Sequence, residues 1–315
     1  MEPRLVSVVL VTWNSAPFLR RCLEGIRGQS VPIELIVVDN GSTDDSAALA
    51  GDAIVLRNPD NRGFAAAVNQ GLRVAKGELV LLCNPDAYLS PDYAALLAAE
   101  LHDDVGMATG KLLNAEGFGI TGTGLVDSKG IRMTKSGRHF DIDQGLADDG
   151  DNVTKEVFGV SGAAAMYTRK FLDDVAVQGE VFDEDFHTYR EDADLSWRGR
   201  VFGWRAVYVP AAIGYHVRTV TPAKRRSLAP AVNMHSVKNR FLLRLKNESL
   251  WMAIRHAPFE IPRDLVALGA VLTIERTSLP ALAWLWKNRQ KVMAKRREIQ
   301  RRRRVSDREL AKWFR

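Results

Sequence analysis

Four stretches of this 315-residue chain carry polar side chains whose types and spacing suit chemistry. Two are carboxylates that close apolar runs. Asp39 ends Ile33-Glu34-Leu35-Ile36-Val37-Val38, and Asp86 follows Leu79-Val80-Leu81-Leu82-Cys83-Asn84-Pro85. A run such as 78–83, bounded by Gly77 and by Asn84-Pro85-Asp86, predicts a strand buried on both faces of a sheet. Open α/β sheets bind ligands beyond the carboxyl ends of their strands, so Asp86 stands where a metal or a phosphate would be handled. Asn-Pro-Asp is equally a turn signature. The third stretch is Glu191-Asp192-Ala193-Asp194 with Arg198, in which Asp194 and Arg198 sit four apart on one predicted helix face. Acid in a first helical turn also serves simply to complement the helix dipole. The fourth is His216, alone in a short apolar segment, where a structural histidine is the ordinary reading.

The elements that must position these groups follow from periodicity. Leu5 to Thr12 is β-branched and reads as a first strand, with Trp13-Asn14-Ser15 as loop and helix cap. A helix over about 17–27, the strand ending at Asp39, a turn at 40–44, a short strand over 53–57 and a helix over 64–75 come next, before the strand that leads to Asp86. Alternating strands and helices imply parallel βαβ units with right-handed crossovers, a Rossmann-like half-sheet. After a helix over 91–101, residues 107–113 and 117–132 are Gly-rich and alternating, which predicts antiparallel strands. Residues 141–151 are acidic and lack hydrophobic periodicity. They fit no EF-hand spacing and read as a mobile surface loop. Phe158 to Tyr167 returns to strand-like sequence, with small residues that admit a ligand or pack tightly. A helix over 189–198 and a strand over 206–210 complete this part.

Apolar residues at 46% and charged residues at 26% are ordinary for a soluble globular protein. The two cysteines, Cys22 and Cys83, offer no structural zinc site. With no signal-peptide pattern at the N-terminus, they point to a reduced, cytosolic setting.

The order of these pieces resembles the GT-A fold inverting glycosyltransferases of family 2, in particular the rhamnosyltransferase-like branch. The matching residues are Val-Thr-Trp-Asn at 11–14, Val-Asp-Asn-Gly-Ser-Thr-Asp at 38–44, Asn-Arg-Gly-Phe-Ala at 61–65, Asn-Pro-Asp at 84–86, Ser-Gly-Ala at 161–163, Glu-Asp-Ala-Asp-Leu at 191–195 with Arg198, and His216. The resemblance implies an α/β GT-A domain, a mixed sheet flanked by helices. It implies nucleotide binding by Thr12, Asn14, Asp39, Arg62 and Asp86, with Asp39 accepting the N3 proton of uracil or thymine. It places a divalent metal, Mg²⁺ or Mn²⁺, on Asp86 and His216, where it stabilises the departing diphosphate. It makes Asp192 the base that takes the acceptor proton, supported by Glu191, Asp194 and Arg198, and it assigns Ser161, Gly162 and Ala163 to the acceptor or sugar loop. Neighbouring Glu191 and Asp194 are expected to raise the proton affinity of Asp192. Asn84 departs from the commoner Asp-X-Asp metal motif. The donor so implied is dTDP-rhamnose, with UDP-hexoses as the alternative, and the acceptor is a glycan or lipid-linked hydroxyl in cell-surface polysaccharide synthesis. A nucleotide-sugar-binding protein without turnover is disfavoured by the intact Asp86, Asp192 and His216. A nucleotidyltransferase would need a phosphate-gripping loop where Trp13-Asn14-Ser15 stands.

Three regions are expected: a catalytic domain over 1–222, a helical segment over 223–258 packed on it, and amphipathic, basic helices over 259–315. Asn239 and Arg240 fall where the family often places residues near the acceptor. Residues 287–315 hold thirteen Lys or Arg against three Asp or Glu, a surplus larger than the net +6 of the whole chain, so the body is mildly acidic. Leu265 to Trp286 is apolar but interrupted by Glu275-Arg276 and Pro280, and Trp284 and Trp286 adjoin the basic run. This composition predicts a peripheral anchor at the inner face of the cell membrane, with contact to a protein partner or a homodimer as the other readings. It contains no nucleic-acid-binding module.

Overall fold

A computed structural model describes residues 4–218 and 230–315. Twelve strands are described: β1 (Val6–Thr12), β2 (Ile33–Asp39), β3 (Ile54–Arg57), β4 (Leu79–Cys83), β5 (Ala87–Leu89), β6 (Val105–Glu116), β7 (Thr121–Ser128), β8 (Ile131–Met133), β9 (His139–Asp141), β10 (Lys155–Val157), β11 (Ala164–Thr168) and β12 (Arg205–His216). The helices are α1 (Ala16–Arg27), α2 (Ser46–Leu49), α3 (Phe64–Val74), α4 (Tyr93–Glu100), α5 (Arg169–Val175), α6 (Glu191–Val201), α7 (Pro230–Asn247), α8 (Leu250–Thr273), α9 (Leu279–Lys287), α10 (Arg289–Arg301) and α11 (Asp307–Leu310).

The main sheet runs β10-β12-β6-β11-β4-β1-β2-β3, with β5 added to β12 and β7 to β6. Strands β3, β2, β1 and β4 are parallel, as the βαβ alternation predicts, and β11 is antiparallel to both β4 and β6. The sheet is therefore mixed. Because successive side chains point to opposite faces, each central strand feeds two cores. Val9, Val11, Ile36, Val38, Val80 and Leu82 pack with α3, α5 and α6. Val8, Leu10, Val37, Leu79, Leu81 and Cys83 pack with α1 and α4 on the other side. Cys22 and Cys83 are free thiols.

Strand β12 is one continuous element where two segments were expected. A register shift between Val209 and Ile213 accommodates Pro210, which cannot donate to the ladder. There the backbone of β12 closes on Gly110, whose absent Cβ would lie 2.1 Å from the Ala212 carbonyl oxygen. Past the shift, Gly214, Tyr215 and His216 pair with Leu89, Tyr88 and Ala87.

The C-terminal helices share the core of the body. Leu242, Leu243, Met252, Val292, Ile299, Leu310 and Phe314 are buried in the same cluster as Phe158 and Trp197. Part of the basic run is engaged by the body, while Arg297, Arg301, Arg308 and Lys312 stay exposed. Lys295 is 1% exposed and reaches Glu180 at 3.0 Å, Asp183 at 2.7 Å and Asp185 at 3.0 Å. Arg304 meets Asp174 at 2.8 Å. The acidic stretch 174–185 of the body is the counter-charge that the composition did not reveal. No single described helix is long and apolar enough to cross a membrane, and α8 and the segment Arg276–Lys287 are bent by 106°.

Candidate functional site

Parallel β1, β2 and β4 end on one edge of the sheet, and the site is built there. Thr12 and Asp39 are register partners at the ends of β1 and β2. Both are buried, and the Thr12 hydroxyl has no hydrogen-bond partner. Asp39 accepts from the Ser42 amide at 3.3 Å. Asn14, in a left-handed conformation, accepts from the Thr43 amide at 2.8 Å and so ties the loops after β1 and β2 together.

Beyond β4 the chain turns through Asn84-Pro85-Asp86 into β5, whose pairing with β12 sets Asp86 beside His216. The Val217 amide donates to the Asp86 carbonyl at 3.0 Å. His216 Nε2 lies 3.3 Å from Asp86 Oδ1, and 3.5 Å from Asn84 Nδ2. Its other nitrogen, Nδ1, is 2.9 Å from Asp127 Oδ2. Asp127 is 1% exposed on β7 and also holds Arg218 at 2.8 Å. Arg218 in turn reaches Asp141 at 2.7 Å. Burial alone would push the Asp127 carboxyl up, but His216 and Arg218 outweigh it and hold it at about 2. Burial opposes charge on His216 too, yet the hydrogen bonds it donates to Asp127 and Asp86 raise it to about 10. A divalent cation fits these residues. An imidazole fixed by a buried carboxylate on one nitrogen, with the other nitrogen facing an aspartate, is the usual arrangement around a metal-binding histidine. The cation would take the place of the imidazolium proton.

The second half of the site is the start of α6. The loop before it is strained: His187, Tyr189 and Arg190 have φ of 64°, 67° and 73°. Such conformations in non-glycine residues persist only where the surroundings enforce them. Here Asn239 of α7 places its amide nitrogen 2.9, 2.8 and 2.8 Å from the carbonyls of Phe186, Thr188 and Tyr189. Gly63 gives the loop room, since a Cβ there would sit 2.4 Å from His187 Nδ1. Asp192 follows, its carboxylate accepting from the Gly162 amide at 3.1 Å and from Ala193 at 2.7 Å. Burial raises the Asp192 carboxyl above the usual range, the Gly162 hydrogen bond opposes this, and the charge of Asp141 adds to the rise. Glu191 is pushed well up, by burial first and then by Asp192.

Two chambers meet at this edge. The larger, about 610 Å³, is walled by Trp13, Asn14, Asn40, Phe64, His187 and His235 among others. The smaller, about 290 Å³, is walled by Asp141, Ser161, Gly162, Ala163, Glu191, Asp192, His216 and Arg218 among others. Phe64, Asn84, Asp86, Thr188 and Tyr189 line both. A diphosphate spanning the junction would place a nucleoside in one chamber and a transferred group in the other.

Of the residues singled out in the sequence, Asp86, Asp192, Glu191, His216 and the 161–163 loop converge on the smaller chamber, and Asn14 lines the larger. Thr12 and Asp39 adjoin it through Val11, Trp13 and Asn40. Arg62 faces elsewhere, a shallow depression with Asp60, Gln70 and Glu184. Asp194 and Arg198 line neither chamber. They are fully buried, paired at 3.0 Å, and held by Lys246 and Asn247 of α7. The residues missed are Asp127, Asp141, Arg218 and Asn239 in its role as a prop. Asp127 and Asp141 sat in stretches read as hairpin and loop, and no local pattern joins them to His216. Asp141 belongs to β9 and to the chamber wall, and the neighbouring Asp143 and Asp149 pair with Lys129 at 3.0 and 2.7 Å, so the acidic stretch is anchored.

Comparison with known proteins bears on this arrangement. The chain is similar to the glycosyltransferase GlyG of Streptococcus pneumoniae, 32% identical over 120 residues that cover 35% of this chain and 40% of GlyG. Across the first curated relatives the match spans 32%, 64% and 40% of their length. S. aureus TarS solved with UDP-GlcNAc superposes with a TM-score of 0.55 at 17% identity, covering 96% of this chain and 90% of that one. The Pyrobaculum calidifontis mannosyltransferase PcManGT, solved with GDP-Man and Mn²⁺, gives 0.53 at 19% identity, covering 96% and 86%. These likenesses establish the GT-A fold. The model of glycosyl transferase family 2 matches residues 7–175, more than half of the sequence, and the chain belongs to that family.

Proposed function

We propose that this chain is an inverting, metal-dependent glycosyltransferase that moves a sugar from a pyrimidine-nucleotide donor to an acceptor hydroxyl. The observation that carries the reading is the shared chamber, in which Asp192 and the Asp86–His216 pair face one volume. In-line displacement at an anomeric carbon needs a base on one side of the sugar and charge stabilisation of the diphosphate on the other. Asp192 supplies the base. Its burial and the nearby Asp141 charge give a carboxylate with raised proton affinity. Asp86 and His216 would hold the cation, which when bound acts as a Lewis acid on the diphosphate. Asp127 orients His216, Arg218 balances Asp127 and Asp141, and Ser161, Gly162 and Ala163 bound the space beside Asp192. Glu191, Asp194 and Arg198 support the start of α6.

For the donor, the motif set favours dTDP-rhamnose. A UDP-hexose or UDP-N-acetylhexosamine is the second reading, favoured by the UDP-GlcNAc complex of TarS. Thr12, Asn14 and Asp39 serve the pyrimidine and ribose, and Arg62 reaches the donor only by turning from its present depression. Calorimetric titration with dTDP, UDP and GDP, each with Mg²⁺ or Mn²⁺, decides the base. Preference for GDP would overturn the pyrimidine reading.

The catalytic unit comprises residues 1–222, followed by the helical segment 223–258, whose described part, 230–258, packs on the body. Residues 259–315 supply a surface that sits on the inner face of the membrane, where a lipid-linked glycan acceptor would be presented. The contact is assigned to α8, α9 and the turn between them, where Ile254, Val266, Ile274 and Trp286 are 68%, 75%, 84% and 72% exposed, more than to the basic run. Full-length protein should co-sediment with anionic vesicles at low salt, and Ile254→Asp with Val266→Asp and Ile274→Asp should abolish this while leaving nucleotide affinity unchanged. Protein that stays in the supernatant would reassign the face to self-association or a protein partner.

A further inference from the structure

We propose that Glu248, His256 and Glu260 form a second divalent-metal site, a structural one for Zn²⁺, which clamps the junction of α7 and α8. None of the three lines either chamber of the candidate active site.

The site grows from the break between two helices. Helix α7 ends at Asn247, and Ser249 caps α8 by accepting from the Met252 amide at 3.1 Å, which leaves Glu248 in the short connection. His256 and Glu260 are four apart on α8 and so share one helix face. That face turns inward toward Glu248. The three residues are 4%, 2% and 7% exposed. One ligand atom from each lies within 4.8 Å of the others, and His256 Nδ1 is 3.0 Å from Glu248 Oε1. Zinc bound at about 2.0–2.2 Å holds tetrahedral ligand atoms about 3.4 Å apart, so the Glu248–His256 pair is already close enough and the Glu260 oxygen has to close in from within 4.8 Å.

The electrostatics point the same way. Three carboxylates gather here, Glu248, Glu260 and Asp264. Arg244 lies among them, but its guanidinium is engaged by Glu260 Oε2 at 2.8 Å and by Asp264. Arg296 directs its Nη1 to the Leu245 carbonyl at 2.8 Å. Glu260 Oε1 and Asp264 Oδ1 are left buried with no hydrogen-bond partner. A buried carboxylate oxygen without a donor is costly. A cation between Glu248, His256 and Glu260 supplies the missing partner at Glu260 without displacing Arg244. A depression of about 460 Å³, lined by Glu248, Glu260, Asp264 and Arg244 among others, gives an ion a way in and room for a water as fourth ligand.

The donor set chooses the metal. One imidazole and two carboxylates without thiolate suit zinc, and among first-row ions such a set binds Zn²⁺ more tightly than Mn²⁺. The His256 ring packs 5.2 Å from Phe314, so the clamp would also brace the end of the chain.

The test uses the full chain carrying Asp86→Ala and His216→Ala, stripped of metal with a chelator and dialysed against ZnCl₂ alone. This protein should take up one Zn²⁺ per chain and melt at a higher temperature when zinc is present. Adding His256→Gln or Glu260→Gln should weaken uptake by more than about 100-fold, beyond the roughly 10- to 100-fold expected of a residue that only orients a ligand, and should abolish the thermal shift. X-ray absorption of the zinc-loaded parent should show one imidazole with oxygen ligands and no sulfur, a reading that does not depend on either variant folding. No uptake by the parent, unchanged uptake by Glu260→Gln and His256→Gln, or a spectrum with two imidazoles, as the stacked His187–His235 pair would give, each overturns the proposal.

Discussion

Asp192 and Asp194 lie two residues apart in the first turn of α6, yet the protein treats them in opposite ways. Asp192 is half-buried at the chamber wall, and the hydrogen bonds to its carboxylate come from backbone amides, Gly162 and Ala193. Asp194 is 0% exposed and meets Arg198, Lys246 and Asn247 at 3.0, 3.0 and 2.7 Å. A carboxylate that must take a proton has to remain under-compensated, whereas one that holds two helices together has to be saturated with cations. The half-turn between them separates chemistry from scaffold, and the way to test that division is to remove each charge in turn.

The largest effect is expected at Asp192. Asp192→Asn keeps the shape, leaves one oxygen for the two amides that now meet separate oxygens, and deletes the proposed base, so turnover should fall by about 10² to 10⁴ while nucleoside-diphosphate affinity is retained. The proton affinity of Asp192 is raised by burial and by Asp141. Because the base works only when deprotonated, activity of the wild type should decline as pH falls through a value above the ordinary aspartate range near 3.9. Steady-state kinetics across pH on both proteins measures this. Unchanged turnover in Asp192→Asn would move the base elsewhere.

Asp194→Asn should act on the fold instead. It removes the carboxylate partner of buried Arg198 and leaves Lys246 to Asp183 alone, which costs about 3–5 kcal/mol when a buried pair loses one partner. Urea unfolding should show that loss, while the protein that remains folded keeps a near-normal rate. A variant of full stability and poor turnover would place Asp194 in the chemistry and erase the contrast.

The metal pair comes next. Asp86→Ala and His216→Ala should each weaken metal-dependent binding of the nucleoside diphosphate, and the monophosphate should be much less affected, because only the diphosphate shares the cation. Asp127→Asn should give a smaller loss, about 10- to 100-fold in metal affinity, as its carboxylate acts through His216. Equal losses for both nucleotides would mean that the pocket has collapsed.

How much of this was legible in the sequence depends on where the information lies. The parallel half was readable because each strand is a short run rich in apolar residues bounded by polar or turn residues, and Ile33–Asp39 came out with its boundaries intact. The convergence of Asp86, Asp192 and His216 was readable through their motifs. Asp127 was not, because its link to His216 spans 89 positions and rests on β7 pairing with β6, which no local pattern encodes. The ion pairs of the basic tail were hidden for a similar reason. Composition shows a surplus of charge but not its partners, and Glu180, Asp183 and Asp185, more than a hundred residues upstream, neutralise Lys295 in the interior.

The smallest effect expected, and the one that sharpens the comparison most, is at Asn239. It touches neither of the α6 carboxylates, and it sits on the same helix as Lys246. Its amide nitrogen faces the carbonyls of Phe186, Thr188 and Tyr189, in a loop where His187, Tyr189 and Arg190 all hold left-handed backbone conformations. Each such hydrogen bond contributes about 0.5–1.5 kcal/mol net, enough to hold a loop but not the whole fold. Asn239→Asp preserves volume and replaces a donor with oxygens that repel the three carbonyls. The loop should then relax from the wall it shares between the two chambers. Turnover should drop by about tenfold, the equivalent of 1.4 kcal/mol, with the pH dependence that Asp192 imposes left in place. A shift in that pH dependence would show that Asn239 acts on the carboxylate itself. Unchanged kinetics would show that the loop keeps its shape without the prop, so that its strain is sustained by Gly63 and the packing around His187 alone.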